Sequence, residues 1–166
     1  MNKDLSILIY GFGNPGRMDD GLGYETVKML EEWTAKNGMS NISFDCNYQL
    51  NIEDAYEISK KDIVIFVDAS KEEIDDFAFT TVNRNSKMSF TSHEASPGYI
   101  YYLCESLFNK SPKTYLLHIK GFKWDFKQGI SKIAKENLYK AVSYLKIILQ
   151  NPDKINRLKH NIFLKH

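Results

Sequence analysis

The feature that most constrains the fold is an apolar segment followed by a glycine-rich loop and a helical pattern, within residues 5–23. Residues 5–10 form a short apolar run that ends at Gly11, which is typical of a strand buried on both faces. Two adjacent carboxylates, Asp19 and Asp20, precede the helical pattern. In an α/β sheet such a loop lies at the carboxyl end of a strand, where ligands usually bind.

Strand-like and helical segments alternate along the rest of the chain. Further strands are predicted at residues 41–46, 62–68, 77–82 and 115–119, and helices at residues 21–36, 51–60, 96–108 and 131–150. This alternation predicts an α/β fold, a three-layer sandwich whose mostly parallel twisted sheet of about five strands carries helices on both faces. The weak strand at residues 77–82 is expected at an edge, where it could run antiparallel.

The helix starts and core faces are also predicted from the sequence. Asn51, Ser96 and Ser131 are expected to cap the last three helices, with Pro97 at the first helical position of the third. The expected core-facing stripes are Ile100, Leu103, Cys104, Leu107 and Phe108 in the third helix, and Ala134, Leu138, Ala141, Val142, Leu145, Ile148 and Leu149 in the fourth.

The chain length and composition favour a single soluble domain. The 166 residues can bury a full core, and we expect one α/β domain over residues 1–151 followed by a basic tail, residues 152–166, of unassigned structure. The formal net charge of +1 gives no support for a nucleic-acid partner. The first apolar run is too short for a signal peptide or membrane span, so we expect a cytoplasmic protein with Cys46 and Cys104 reduced.

The glycine-rich loop also fits the G-x-G-x-x-G pattern of dinucleotide-binding sites, from Gly11 to Gly16. Pro15 removes one of the N–H groups that such a site needs, and the helix cannot begin before about Asp20. Two carboxylates at the helix entrance would repel a pyrophosphate. Nucleotide binding is therefore the weaker interpretation of this loop.

Three chemically useful side chains are expected at one end of the sheet. Asp20 follows the first strand, Asp68 ends the most apolar strand, and His93 precedes a helix that begins at Ser96. Two carboxylates and one imidazole suit a borderline divalent metal such as zinc or nickel, and they suit acid–base catalysis equally well. Each of these residues also has a structural alternative. Asp20 could cap a helix, Asp68 could be a turn residue, and His93 could be a solvated surface histidine. Asp19 is interpreted as the cap of the first helix.

Other polar and aromatic residues are interpreted structurally. His118 lies inside an apolar strand and is expected to be a hydrogen-bonded core residue. Phe122, Trp124 and Phe126 alternate within a loop and are expected to pack over the sheet edge, with a wall for a peptide or partner as the alternative.

Several blocks of the sequence, in order, resemble the hydrogenase maturation proteases. The pattern Gly13-Asn14, Asp19-Asp20-Gly21 and Gly23 is similar to that family's first signature block. Similar blocks follow at residues 49–55, 63–69, 91–97 and 121–131, so the resemblance covers roughly residues 5–145.

The resemblance implies an aspartic-type endopeptidase that trims the C-terminal extension of the large-subunit precursor of a nickel–iron hydrogenase. It implies catalytic and metal-contacting roles for Asp20, Asp68 and His93. The nickel would be supplied by the substrate protein, with no tightly bound cofactor. Substrate-binding roles are expected for Gly13, Asn14, Asp19 and Gln49.

Two other functions share features with this sequence. Peptidyl-tRNA hydrolases have a similar opening but carry a catalytic histidine soon after it, whereas this chain has no histidine before His93. Acids in place of a base also argue against a tRNA substrate. A non-enzymatic module that binds a metal or nucleotide is the second alternative.

Overall fold

The central sheet of the computed structural model, which describes residues 4–87, 95–156 and 162–163, follows the predicted alternation. The strands are β1 (Ile7–Phe12), β2 (Ile42–Asn47), β3 (Ile63–Ser70), β4 (Phe77–Thr81), β5 (Lys113–Lys120) and β6 (Ile162–Phe163). They form one sheet in the order β2-β1-β3-β5-β4-β6. The first four strands in this order run parallel, and β4 is antiparallel to both β5 and β6. The predicted α/β class with a mostly parallel sheet is confirmed.

Helices cover both faces of this sheet, as predicted. They are α1 (Leu22–Lys36), α2 (Asp54–Ser59), α3 (Pro97–Phe108), α4 (Lys132–Gln150) and α5 (Asp153–Asn156), and a 3-10 helix, Met18–Gly21, precedes α1. α1 packs beside α4 on one face, and α2 packs beside α3 on the other. No helix of the described segments is long and apolar enough to cross a membrane.

Alternating side chains of β3 belong to the two hydrophobic cores, one on each face of the sheet. Ile63, Ile65 and Val67 join the α1 and α4 side, whereas Val64 and Phe66 join the α2 and α3 side. All five are at most 1% exposed. Burial of each such side chain contributes about 1.5–3 kcal/mol, so both layers hold this strand in place.

The predicted helix cap and core-facing stripes can be compared with the structure. The Ser96 hydroxyl accepts a hydrogen bond from the Tyr99 N–H at 3.1 Å, and Pro97 opens α3 as predicted. The predicted core stripe of α4 is buried throughout. The predicted stripe of α3 is wrong at its end, because Leu107 and Phe108 are 64% and 37% exposed. The Phe108 ring contacts Tyr56 of the six-residue α2, with ring centroids 5.4 Å apart.

Close packing of α1 on the sheet depends on glycine. A Cβ atom on Gly23 would lie 2.8 Å from the Val67 carbonyl oxygen and 2.9 Å from the Phe12 nitrogen. Because these are backbone atoms, they cannot turn away as a flexible side chain would. The missing side chain of Gly23 therefore lets a helix rest directly on two strands.

The C-terminal tail continues the fold at the sheet edge. In α5, Ile155 is 0% exposed and joins the core beneath α4. Further along the chain, β6 pairs with β4 through Ala78 and Phe79. The tail, whose structure the sequence left unassigned, therefore contains a short helix and an added edge strand.

Candidate functional site

Two predicted acids lie at the carboxyl edge of the parallel strands. β1 and β3 are neighbours, with Gly11 opposite Val67 in the register. Asp20 lies in the 3-10 helix that follows β1, and Asp68 is the residue after Val67 in β3. Because parallel strands end at the same edge, both carboxylates belong to the region where ligands bind in α/β folds. Asp68 is inside the strand, two residues before its end.

The loop after β1 wraps the Asp20 carboxylate. Its Oδ2 atom accepts a hydrogen bond from the Asn14 N–H at 2.8 Å. A Cβ atom on Gly13 would lie 2.2 Å from the Asp20 carbonyl oxygen, and Gly13 has a φ of 132°, which other residues rarely adopt. Among the residues that the structure describes, none donates a hydrogen bond to Asp20 Oδ1. Gly13 and Asn14, predicted to bind substrate, hold Asp20 in this geometry.

His118 is the residue that sequence reasoning missed as a neighbour of Asp68. The register of β3 and β5 places Asp68 opposite His118, and alternation puts both on the α2 and α3 face. The His118 Nε2 atom lies 2.9 Å from the Thr80 hydroxyl oxygen on β4. Burial lowers the pKa of His118, although the nearby negative charge of Glu72 acts in the opposite direction. The edge that carries Asp68 thus includes the imidazole of His118, a placement that becomes visible only once the strand order is known.

His93, the third member of the predicted trio, lies outside the described residues. The joint placement of Asp20, Asp68 and His93 therefore stays a prediction. Among residues 4–87, 95–156 and 162–163, no group of three histidine, cysteine, aspartate or glutamate side chains could hold a metal ion.

Asp19 connects the loop after β1 to the segment between β5 and α4. Its Oδ2 atom accepts hydrogen bonds from the Phe122 and Lys123 N–H groups at 2.7 and 2.9 Å, and from the Ser131 hydroxyl at 2.7 Å. Its Oδ1 atom accepts one from the Ser131 N–H at 2.7 Å. Burial alone would raise the pKa of this carboxyl, but the four hydrogen bonds lower it below its usual value.

These contacts correct the role that the sequence suggested for Asp19. The N-cap of α1 is Gly21, and no side chain caps that helix, so the capping prediction is wrong. With 0% exposure and four donors bound, the Asp19 carboxylate has no surface left for a substrate. We call this set of contacts the Asp19 clamp. It fixes the neighbouring Asp20 relative to residues 122–131.

A second buried carboxylate supports the block at residues 49–55. Asp54 Oδ2 accepts hydrogen bonds from the Tyr10 hydroxyl at 2.9 Å and from the Asn51 N–H at 2.8 Å. Burial raises the pKa of Asp54, and the charges of Asp45 and Glu53 add to that effect. The prediction that Asn51 caps α2 is wrong, because the N-cap of that helix is Glu53 and no side chain caps it. Gln49, a predicted substrate-binding residue, is exposed nearby.

Aromatic side chains in the segment after β5 are exposed at the same edge. Phe122 and Phe126 are 46% and 84% exposed, so the prediction that they pack over the sheet edge is wrong for these two rings. A positively charged side chain lies over each of the three aromatic rings of this segment, in a cation–π contact. The pairs are Arg17 with Phe126, Lys71 with Trp124 and Lys120 with Phe122, at 4.7, 4.7 and 5.9 Å from the ring centroids. This arrangement favours the alternative of a wall for a peptide or partner.

Comparison with solved structures identifies proteins of the same fold. A NiFe hydrogenase maturation protease, HycI from Thermococcus kodakarensis KOD1, superposes with a TM-score of 0.71 at 20% identity, over 89% of this chain and 94% of that chain. The hydrogenase maturating endopeptidase HybD from E. coli gives a TM-score of 0.65 at 14% identity, over 89% and 94% of the two chains. A hydrogenase 2 maturation peptidase from a Thaumarchaeota archaeon gives 0.62 at 18% identity, over 87% and 97%.

The similarity lies in structure more than in sequence. No protein-family model matches the chain, and no curated protein matches it in sequence. At these identities the solved structures show that the chain has the fold of the hydrogenase maturation proteases. The match extends over nearly the whole length of each structure compared.

Proposed function

We propose that this protein is a hydrogenase maturation endopeptidase, which removes the C-terminal extension of a nickel–iron hydrogenase large-subunit precursor in the cytoplasm. The observation that carries the proposal is the coincidence of the shared fold with two carboxylates, Asp20 and Asp68, at the carboxyl edge of neighbouring parallel strands. Named maturation proteases have this fold, and several blocks of the sequence resemble those of that family in the same order.

In this proposal the nickel belongs to the substrate. Asp20, Asp68 and His93 grip nickel already inserted in the precursor, so a precursor without nickel is not cut. This coordination of the nickel holds one peptide bond of the substrate in place, and the fixed orientation lowers the activation barrier for its hydrolysis. A carboxylate accepts a proton from the attacking water, the carbon–nitrogen bond breaks, and the new amino terminus takes up a proton. This assignment makes the protein an aspartic-type peptidase.

The test is mass spectrometry of a purified large-subunit precursor, with and without inserted nickel, before and after incubation with the protein. The expected result is loss of one C-terminal peptide from the nickel-loaded precursor only. Equal trimming of both forms would contradict nickel sensing, and an unchanged mass in both would contradict the peptidase function. Tightly bound metal in the freshly purified protein would count against nickel supplied by the substrate.

A further inference from the structure

The Arg17 guanidinium group lies on the surface of the candidate site with few of its donors in use. Its Cζ atom lies 4.7 Å from the centroid of the Phe126 ring, so one face of the cation is stacked. Its Nη2 atom donates one long hydrogen bond, 3.3 Å, to the Trp124 carbonyl oxygen. The Nε atom is buried and has no acceptor among the described residues. A guanidinium has five N–H donors in a planar fork that matches a carboxylate.

Two features place this group beside the site. The Arg17 carbonyl accepts a hydrogen bond from the Asp20 N–H at 3.1 Å. Arg17 and the proposed catalytic residue Asp20 therefore belong to the same backbone turn. The Asp19 clamp binds the N–H groups of Phe122 and Lys123, and the Lys127 carbonyl accepts from the Met18 N–H at 2.9 Å. The aromatic segment is therefore held against the turn.

The surroundings of Arg17 favour an acidic and partly apolar ligand. The exposed rings of Phe122 and Phe126 offer apolar contact on either side of Trp124. The cations that lie over the rings of this segment are Arg17, Lys71 and Lys120, and the acids of the same edge include Asp20, Asp68, Glu72, Glu73 and Asp125. Among the described residues, no carboxylate lies within 4 Å of the Arg17 guanidinium nitrogen atoms. An anionic group of a ligand would therefore supply the acceptor that this guanidinium lacks.

We propose that Arg17 binds the carboxylate of an acidic side chain in an extended peptide, whose apolar neighbours pack on Phe122 and Phe126. The inference rests on the proposed function only for the origin of this peptide, which is the segment of the precursor that crosses the mouth of the site. Arg17 then determines which precursors are accepted. A precursor with a neutral residue in place of the acidic one leaves the guanidinium donors unsatisfied.

The test is NMR titration of the full chain with two blocked peptides, acetyl-Ala-Val-Glu-Val-Ala-amide and its glutamine counterpart. The glutamate peptide should shift the Arg17 Nε–Hε resonance and bind more tightly than the glutamine peptide. Arg17→Gln should weaken binding of the glutamate peptide about tenfold, as expected for loss of one charge-assisted hydrogen-bonded pair. Lys123→Gln is the matched control, since it removes the same charge from the same surface and should retain the preference for glutamate.

Several outcomes would overturn the assignment. These are absence of binding by either peptide, equal binding of both, or an equal loss in Arg17→Gln and Lys123→Gln. Tighter binding of a glutamine peptide with a free C-terminal carboxylate would contradict the choice of a side chain. If Arg17→Gln does not fold, the shift of the wild-type Nε–Hε resonance still decides the question. The titration needs neither nickel nor cleavage, so its failure is distinct from failure of precursor processing.

Discussion

Asp19 accepts two hydrogen bonds from Ser131, one from the backbone N–H and one from the hydroxyl, both at 2.7 Å. Ser131 occupies the N-cap position of α4, but its hydroxyl accepts no capping hydrogen bond, so the predicted cap is wrong, and it donates to Asp19. The start of α4 is therefore joined directly to the turn that carries Asp20. This relationship leads to two predictions about stability.

Replacement of Asp19 by asparagine should destabilise the protein strongly. An amide has one acceptor oxygen in place of two, so its NH₂ group would face a buried N–H of Phe122 or Ser131. The expected loss in the free energy of unfolding is about 2–3 kcal/mol, the cost of an unsatisfied buried donor. Urea denaturation measures it, with Asp125→Asn as the control at an exposed position in the same segment. Equal urea midpoints for the two variants would disprove the clamp.

The Asp19 clamp should also weaken in acid. The pKa of Asp19 is lower in the folded protein than in the unfolded chain, so the unfolded chain binds this proton more readily. Its contribution to stability is present above the ordinary carboxyl pKa and is lost as the pH falls toward the folded value. Urea midpoints measured between about pH 5 and pH 3 should fall less steeply for Asp19→Asn than for the wild type.

The contribution of Asp54 to stability should depend on pH in the opposite direction to that of Asp19. Burial raises its pKa, so its contribution to stability is present below the ordinary carboxyl pKa and is lost as the pH rises through the folded value. Both of its hydrogen bonds go to Oδ2, and the amide oxygen of asparagine could accept both. Asp54→Asn should therefore be no less stable than the wild type at neutral pH, by thermal denaturation. Its relative stability should decline in acid, and a large loss at neutral pH would show that the buried charge is favourable.

Gly23→Ala should disrupt the packing of α1 on the sheet. The added methyl group would lie within 3.0 Å of three backbone atoms of Val67 and Phe12. The expected cost is about 3 kcal/mol, at the upper end for overpacking, because backbone atoms must move. In the control Gly16→Ala, the nearest atom is Asn14 Oδ1 at 3.1 Å, a side-chain atom that accepts a hydrogen bond from the Gly16 N–H and needs to shift only slightly. Thermal denaturation should show a much smaller loss for the control.

Asp68→Asn tests the proposed chemistry without a change in shape. The variant should fold, as judged by circular dichroism, and should cut the nickel-loaded precursor at least about 10²-fold more slowly, a typical effect for acid–base groups. Asp75→Asn, at an exposed position before β4, is the matched control and should cut at the wild-type rate. Normal processing by Asp68→Asn would exclude this carboxylate from the mechanism.

Local patterns predicted the elements because their causes are local. The apolar spacing of α4 and the cap at Ser96 depend on residues within one or two helical turns, and both predictions are confirmed. The edge location of Asp20 and Asp68 also followed from the sequence, since parallel strands place their carboxyl ends together. The strand alternation was sufficient for the fold class.

Features that depend on distant partners could not be predicted in this way. The donors to Asp19 lie more than a hundred residues along the chain, so local propensity indicated a helix cap instead. Asp68 lies opposite His118 because β5 pairs with β3 on the side away from β1. Exposure of Phe126 depends on how the clamp holds its segment, which no local pattern encodes.

The clamp has a consequence for protein synthesis on the ribosome. All four donors to Asp19 come from Phe122, Lys123 and Ser131, late in the 166-residue chain. Until those residues leave the exit tunnel, the emerging polypeptide holds a carboxylate that cannot be buried at acceptable cost. The turn that carries Asp20 therefore matures only after Ser131 has been synthesised, and a truncated product that stops before Ser131 has no assembled site.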